Sequence, residues 1–249
     1  MRVSLQRGVA ALAGVLWLGA ILGHADTGKQ SGFVDRVFKD ADGKEHKYVL
    51  FVPHNYKGDR EYPLILFLHG AGEREGGKKM PAEVGIGPAV KKQEKTFPFF
   101  VVIPRCGPAP RNWLATGEDA KRAVAMVDDV QKAYKIDSKR LYLTGLSMGG
   151  FGTWSLAVKY PDRWAAIVPI CGGGDPKQAE KIKHIPCWCF HGDADKSVSV
   201  DQSRKMIEAL KAAGGKPKYD EYPGVGHNSW DKAYVEADLW AWMFAQKKP

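Results

Sequence analysis

"TGLSMGG", residues Thr144–Gly150, sets one serine between glycines at the end of a run of strand-forming residues, "RLYL". A serine on a very sharp strand-to-helix turn has strained backbone angles, and its neighbours must approach closely. A side chain at position 145 or 149 would collide across such a turn, which gives Gly145 and Gly149 a steric reason. The turn also lifts the Ser147 hydroxyl clear of the backbone, where a base can reach it. The competing reading of the same letters is a plain helix N-cap, a place that suits serine well. The rest of the chain has to decide between them.

Working outward, "RLYLTGLS" (140–147) predicts a strand ending at the serine, and "MGGFGTWSLAVKY" (148–160) predicts the helix after it, stopped by Pro161. Upstream, "GFVDRVFKDADGKEHKYVLFVP" (32–53) predicts a β-hairpin turning at Asp42-Gly43. "YPLILFLHG" (62–70) and "FFVVIP" (99–104) are unbroken apolar runs, as expected of strands covered on both faces. "EDAKRAVAMVDDVQKAY" (118–134) carries Ala123, Val124, Val127 and Val130 on one helical face. Downstream the spacing predicts strands at 164–171, 186–192 and 217–224, and helices at 199–215 and 230–246. After the hairpin, strands and helices alternate. That pattern predicts an α/β fold with a mostly parallel central sheet and helices on both faces, its active site at the carboxyl ends of the strands. His69-Gly70, Ser147 and His191-Gly192 all fall at such ends.

A serine hydroxyl needs a base within hydrogen-bond reach and a third group to orient that base. Two carboxylates, Asp193 and Asp195, follow the strand that ends at "FHG" (190–192). Beyond them the chain holds one histidine, His227, on the loop after the last strand. Acyl transfer also needs donors for a tetrahedral oxyanion. The backbone N–H of Met148, directly after the serine, and that of Ala71, in the glycine-rich loop "HGAGEREGG" (69–77), are the candidates. Trp113, Trp154 and Trp230 flank this region. Trp113 and Trp230 are candidates to stack on a sugar or aryl group, with packing as the expected role of Trp154. Glu73, Arg74 and Glu75 read as a solvated or ion-paired surface.

Composition places limits on partners and compartment. The 249 residues carry a net charge of +9, but lysine and arginine are scattered and form no nucleic-acid motif. Arg2 and Arg7, the apolar run from Gly8 to Gly23 and the small residues of "GHA" read as a secretory signal peptide cut after Ala25. Residues 26–249 then form one catalytic domain, secreted or periplasmic, with no later membrane span. An uncleaved anchor is the alternative reading of the leader. Of the four cysteines, Cys187 and Cys189 share a strand face and are poorly placed to bridge each other. Cys106 and Cys171 are a conceivable disulfide, or all four are free. No cysteine spacing suggests zinc.

Together "LHGAGERE", "GLSMGGFGTW", "HGDADKSV" and "GHNSW" resemble the oxyanion, elbow, acid-loop and base-loop motifs of α/β-hydrolase serine esterases. The resemblance is to the branch of dienelactone hydrolase, the phospholipase/carboxylesterase group and secreted feruloyl esterases, and it spans roughly residues 32–246. It implies an α/β-hydrolase fold without a large cap and a triad of Ser147, Asp195 and His227. The acid motif H-G-x-x-D-x-x-V points to Asp195 and leaves Asp193 a local role. It also implies no metal or organic cofactor, and a small-molecule or polysaccharide-linked ester as substrate. The same motifs occur in prolyl-oligopeptidase-like peptidases, so a peptidase, an acyltransferase and an inert binding protein on this fold stay open. The segment 172–185 is short and polar, and 71–96 is rich in glycine and lysine. The expectation is a flexible rim and an open site.

Overall fold

The computed structural model describes residues 30–249. The predicted leader, 1–25, lies outside the described residues. The hairpin forms as expected from β1 (Gly32–Lys39) and β2 (Glu45–Val52), with Gly43 at a positive φ of 79° in the turn. β3 (Tyr62–Leu68) leads through helix α1 (Ile86–Lys92) to β4 (Phe100–Pro104), and α2 (Glu118–Ala133) leads to β5 (Ile136–Leu146). The remaining elements are α3 (Met148–Lys159), β6 (Ala166–Ile170), α4 (Ala179–Ile182), β7 (Trp188–Gly192), α5 (Asp201–Ala212), β8 (Lys218–Tyr222), α6 (Trp230–Ala233) and α7 (Leu239–Ala245).

The strands form one eight-stranded sheet in the order β1-β2-β4-β3-β5-β6-β7-β8. β1, β2 and β4 pair antiparallel; every pairing from β4–β3 onward is parallel. Alternation along β3 explains its unbroken apolar run. Leu64, Leu66 and Leu68 join a core layer with α2, α3 and α5, while Ile65 and Phe67 join the opposite layer with α1, α6 and α7. β5, the strand that ends just before Ser147, lies in the middle of the sheet, and β8 lies at one edge.

Three expectations need correction. The helix read over 230–246 is broken into α6 and α7. At 100° per residue, an unbroken helix would turn Tyr234 about 140° from Leu239 and about 180° from Met243. All three are buried, so the chain turns between them. The stretch 71–96, expected as a flexible rim, is in part core. Ile86, Ala89 and Val90, at i, i+3 and i+4, bury one face of α1, with Val84 beside them. Glu73 is 7% exposed rather than solvated. The segment 172–185 does form a turn and the short α4, with Ala179 and Ile182 packed inward, and it adds no cover. The cysteines are free and buried, with Cys106 and Cys171 in different core layers. Among the described residues no helix is long and apolar enough to cross a membrane.

The centre of the sheet has no space for added atoms. A Cβ on Gly149 would lie 1.9 Å from Leu68 O, whereas one on Gly72 would meet nothing within 4 Å. Gly149→Ala is therefore expected to lower the melting temperature by about 10 °C or to prevent folding, and Gly72→Ala to change it by less than about 2 °C, read by calorimetry.

Candidate active site

Ser147 adopts φ 52° and ψ −116°, a region that a residue with a Cβ rarely occupies. The sequence leaves it little choice. Backbone from β3, β5, β6 and α3 converges there: a Cβ on Gly145 would lie 2.4 Å from Gly149 O, and one on Gly150 would lie 2.4 Å from Ile170 O. Ser147 N–H is fixed to Ile170 O at 3.0 Å. The N-cap alternative fails on geometry, since the serine side chain makes no capping hydrogen bond to α3. Its hydroxyl is free to face the base.

The side chain it faces is His227, the candidate base. Its Nε2 lies 2.9 Å from Ser147 Oγ and its Nδ1 lies 2.7 Å from Asp195 Oδ2. With the Nδ1 proton donated to the carboxylate, Nε2 is the acceptor for the serine hydroxyl. Asp195 Oδ1 accepts from the N–H groups of Ser197 at 2.8 Å and Val198 at 2.9 Å. Burial works against its charge, but the His227 contact and these two N–H groups outweigh that and hold the carboxyl below its usual range. Asp193 instead accepts from Gly224 N–H at 2.6 Å and joins the acid loop to the loop that carries His227. Ala194 N–H also donates to Val225 O, and a Cβ on Gly192 would lie 2.2 Å from that carbonyl. Acid and base loops are thus stitched together.

Ala71 opens a 3-10 turn (Ala71–Glu73) and Met148 opens α3, so the N–H of each has no partner inside its own helix. The loop carrying Ala71 sits against the elbow, since the missing Cβ of Gly149 would also be 2.9 Å from His69 O.

What holds this loop was not read from the sequence. His69, fully buried, accepts Cys106 N–H at Nε2 (3.0 Å) and donates from Nδ1 to Gly70 O (2.6 Å). Burial drives its pKa down to about 4, so it is neutral. The Arg105 guanidinium donates to Glu73 O and Arg74 O. The strand-end position of His69 was visible; its partners on the chain after β4 come from a distant part of the sequence.

Trp113 requires a correction. It is 1% exposed, donates its indole N–H to His69 O at 2.9 Å and meets the His69 ring edge-on. It braces the oxyanion-loop candidate and has no free face for a sugar. Trp230 packs edge-on against the His227 ring at 5.3 Å, and Trp154 is buried as expected. Beside Met148 opens a groove of about 350 Å³ lined by Asn112, Trp113, Leu114, Met148 and Phe151. A second hollow of about 330 Å³ continues past Leu114 and Phe151 to Gly174 and Met206. Cys171, Asp195 and His227 offer ligand atoms within 4.8 Å of one another. Burial pushes the Cys171 thiol up to about 12, however, and the other two are spent on each other.

The dienelactone hydrolase family model matches residues 110–237, just over half of the chain. The chain belongs to the dienelactone hydrolase family. Within the wider group it is 31% identical over 175 residues to poly(3-hydroxyalkanoate) depolymerase C of Paucimonas lemoignei, covering 65% of this chain and 40% of that protein. It is 27% identical over 216 residues to a probable feruloyl esterase C of Aspergillus flavus, covering 81% and 73%. The crystal structure of a thermostable esterase superposes with a TM-score of 0.80 at 36% identity, covering 87% of this chain and 63% of that one. The chain spans less than half the length of the first curated relatives it matches. Peptidase chains also superpose, at 13–17% identity, which shows the fold alone.

Two measurements check this dienelactone hydrolase family site. A fluorophosphonate probe is expected to label Ser147 and to leave Ser147→Ala unlabelled. Labelling of Asp195→Asn should slow by about a hundredfold or more, against a few-fold at most for Asp193→Asn. For stability, the His69 imidazole titrates near 6.5 when unfolded and near 4 when folded. Its contribution is present above pH 6.5 and is lost as the pH falls toward 4, by about 3 kcal/mol in all. The acid decline in melting temperature should be shallower in His69→Gln, each variant measured against its own neutral value.

Proposed function

We propose that this chain is a serine ester hydrolase acting outside the cytoplasm on short or aromatic acyl esters, free or borne on a polysaccharide. The observation that carries the proposal is the relay from the strained Ser147 through His227 to Asp195, with contacts of 2.9 and 2.7 Å. Ser147 Oγ attacks the ester carbonyl carbon while His227 Nε2 takes its proton. The carbonyl oxygen gains the electron pair and rests on the N–H groups of Met148 and Ala71. Collapse of that intermediate expels the alcohol, which receives the proton back from His227. Water, activated by the same nitrogen, then releases the acid and restores the serine. Asp195 keeps the His227 Nδ1 proton in place and balances the imidazolium. Each step uses this chain's own groups and water.

The surface supports the substrate class. The groove at Met148 and Phe151 is shallow, and Leu114 on its rim is 46% exposed. Such a groove accepts an acetyl or a flat aryl acyl group without enclosing a long chain. The segment 172–185, where a lid would sit, packs its apolar residues inward. Relatives described as a polymer depolymerase and a feruloyl esterase agree with ester bonds carried on bulky substrates. The leader read at residues 1–25 supports export.

The test is a panel of esters and peptides. Acetate or ferulate release from xylan, and turnover of short p-nitrophenyl esters abolished in Ser147→Ala, are expected. Rates should fall for acyl chains beyond about eight carbons, with no jump above the solubility limit. Cleavage of peptides in preference to esters, or interfacial activation on long chains, would replace this reading.

A further inference from the structure

Asp195 faces two imidazoles, and the triad accounts for only one. His191, in β7, is fully buried. Its Nε2 lies 3.2 Å from Asp195 Oδ2, the same oxygen that serves His227, and 3.0 Å from Val198 O. Its Nδ1 lies 2.7 Å from Ser203 Oγ on α5, a hydroxyl also 3.0 Å from Gly172 O beyond β6. Both atoms in front of Nε2 are acceptors, so those contacts are favourable only if Nε2 carries a proton. Burial holds the His191 pKa below its ordinary value and keeps the ring neutral. The single ring proton therefore sits on Nε2, and Nδ1 and Gly172 O share the one proton of the Ser203 hydroxyl between them.

Building on the triad roles above, we propose that His191 is a positioning residue: its Nε2–H, donated to Val198 O, pins the acid loop, and the same ring edge, 3.2 Å from Asp195 Oδ2, divides the carboxylate's charge between two imidazoles. The carboxylate accepts Ser197 N–H and Val198 N–H at Oδ1 and His227 Nδ1–H at Oδ2, and the His191 ring edge adds an electrostatic contact at Oδ2. It can neither rotate nor drift from His227. The sharing also has an electrostatic result. An anion that spends part of its field on His191 raises the basicity of His227 less than an unshared one.

Other titratable groups lie around this pair. Cys171 at the end of β6 stays a thiol because burial raises it. Glu221 on β8 is held below its usual value by Arg204 of α5 and stays ionised. Asp193 is bonded to Gly224 N–H, and Lys196 is exposed on the acid loop. Of the groups nearest the pair, the Cys171 thiol and the Glu221 carboxylate therefore keep their states, so a shift of His227 between His191 variants reports on Asp195.

The experiment compares the wild type with His191→Leu and His191→Gln, titrating His227 by NMR of ¹⁵N-histidine-labelled protein. A pH profile of kcat/KM on p-nitrophenyl acetate is recorded alongside. In His191→Leu the His227 midpoint and the acidic limb are expected to move up by about half to one pH unit. kcat should fall about tenfold or more, with KM within about twofold. His191→Gln, whose amide can donate from a similar place, should recover most of both. An unmoved or lowered His227 midpoint in folded His191→Leu overturns the proposal, because a packing role alone would change only the melting temperature. If His191→Leu does not fold, Ser203→Ala decides. It removes the hydroxyl that holds the ring at Nδ1 and should raise the midpoint by a smaller amount, and no rise overturns the proposal. A wild type that hydrolyses no ester would refute the ester reading, while the NMR comparison would still decide this one.

Discussion

Backbone presses closely on backbone where the chain leaves β5 for α3. Leu68 O, Gly149 O and Ile170 O crowd this turn from two neighbouring strands and a helix, and no Cβ fits at positions 145, 149 or 150. This crowding makes the serine's backbone angles tolerable. A lone residue at φ 52° would relax, but one gripped by β3, β5 and β6 cannot. The strain is held by the most buried part of the sheet, so the hydroxyl is aimed before any substrate arrives. The loop that carries Ala71 leans on the same turn through His69 O, and α3 starts there.

Around that fixed centre the polar groups are arranged to remain uncharged or fully paired. His69 is neutral because it is buried, and its two nitrogens are used on Cys106 N–H and Gly70 O. Trp113 caps the His69 carbonyl, and Arg105 ties down the next turn through carbonyl oxygens. A loop fixed by its own backbone atoms can present N–H groups with little reorganisation, which is the main source of stabilisation for a developing oxyanion.

Much of this was legible in the sequence, for identifiable reasons. The strands of a doubly covered sheet are long apolar runs, and "YPLILFLHG" shows one without ambiguity. The elbow was legible because glycine is the only solution to its steric problem. Asp195 and His227 were found by their order along the chain and by their motifs, and the structure brings them within hydrogen-bond reach of each other and of Ser147. What escaped was information carried between distant segments. Trp113 reads as an exposed aromatic until the His69 carbonyl is seen above its indole. Glu73 reads as surface until the turn folds it inward. The break between α6 and α7 depends on which residues are buried, a fact that helical periodicity in "WDKAYVEADLWAWMFAQ" does not contain.

The two partners of the relay are anchored very differently. Ser147 is held at the centre of the sheet, whereas the loop with His227 hangs from β8, an edge strand whose residues are all partly or fully exposed. Edges open at lower free energy than centres. Warming should therefore part the hydroxyl from the imidazole while the core is still intact, because the loop that carries His227 moves off with the edge strand. Inactivation of that kind is a reversible uncoupling rather than unfolding.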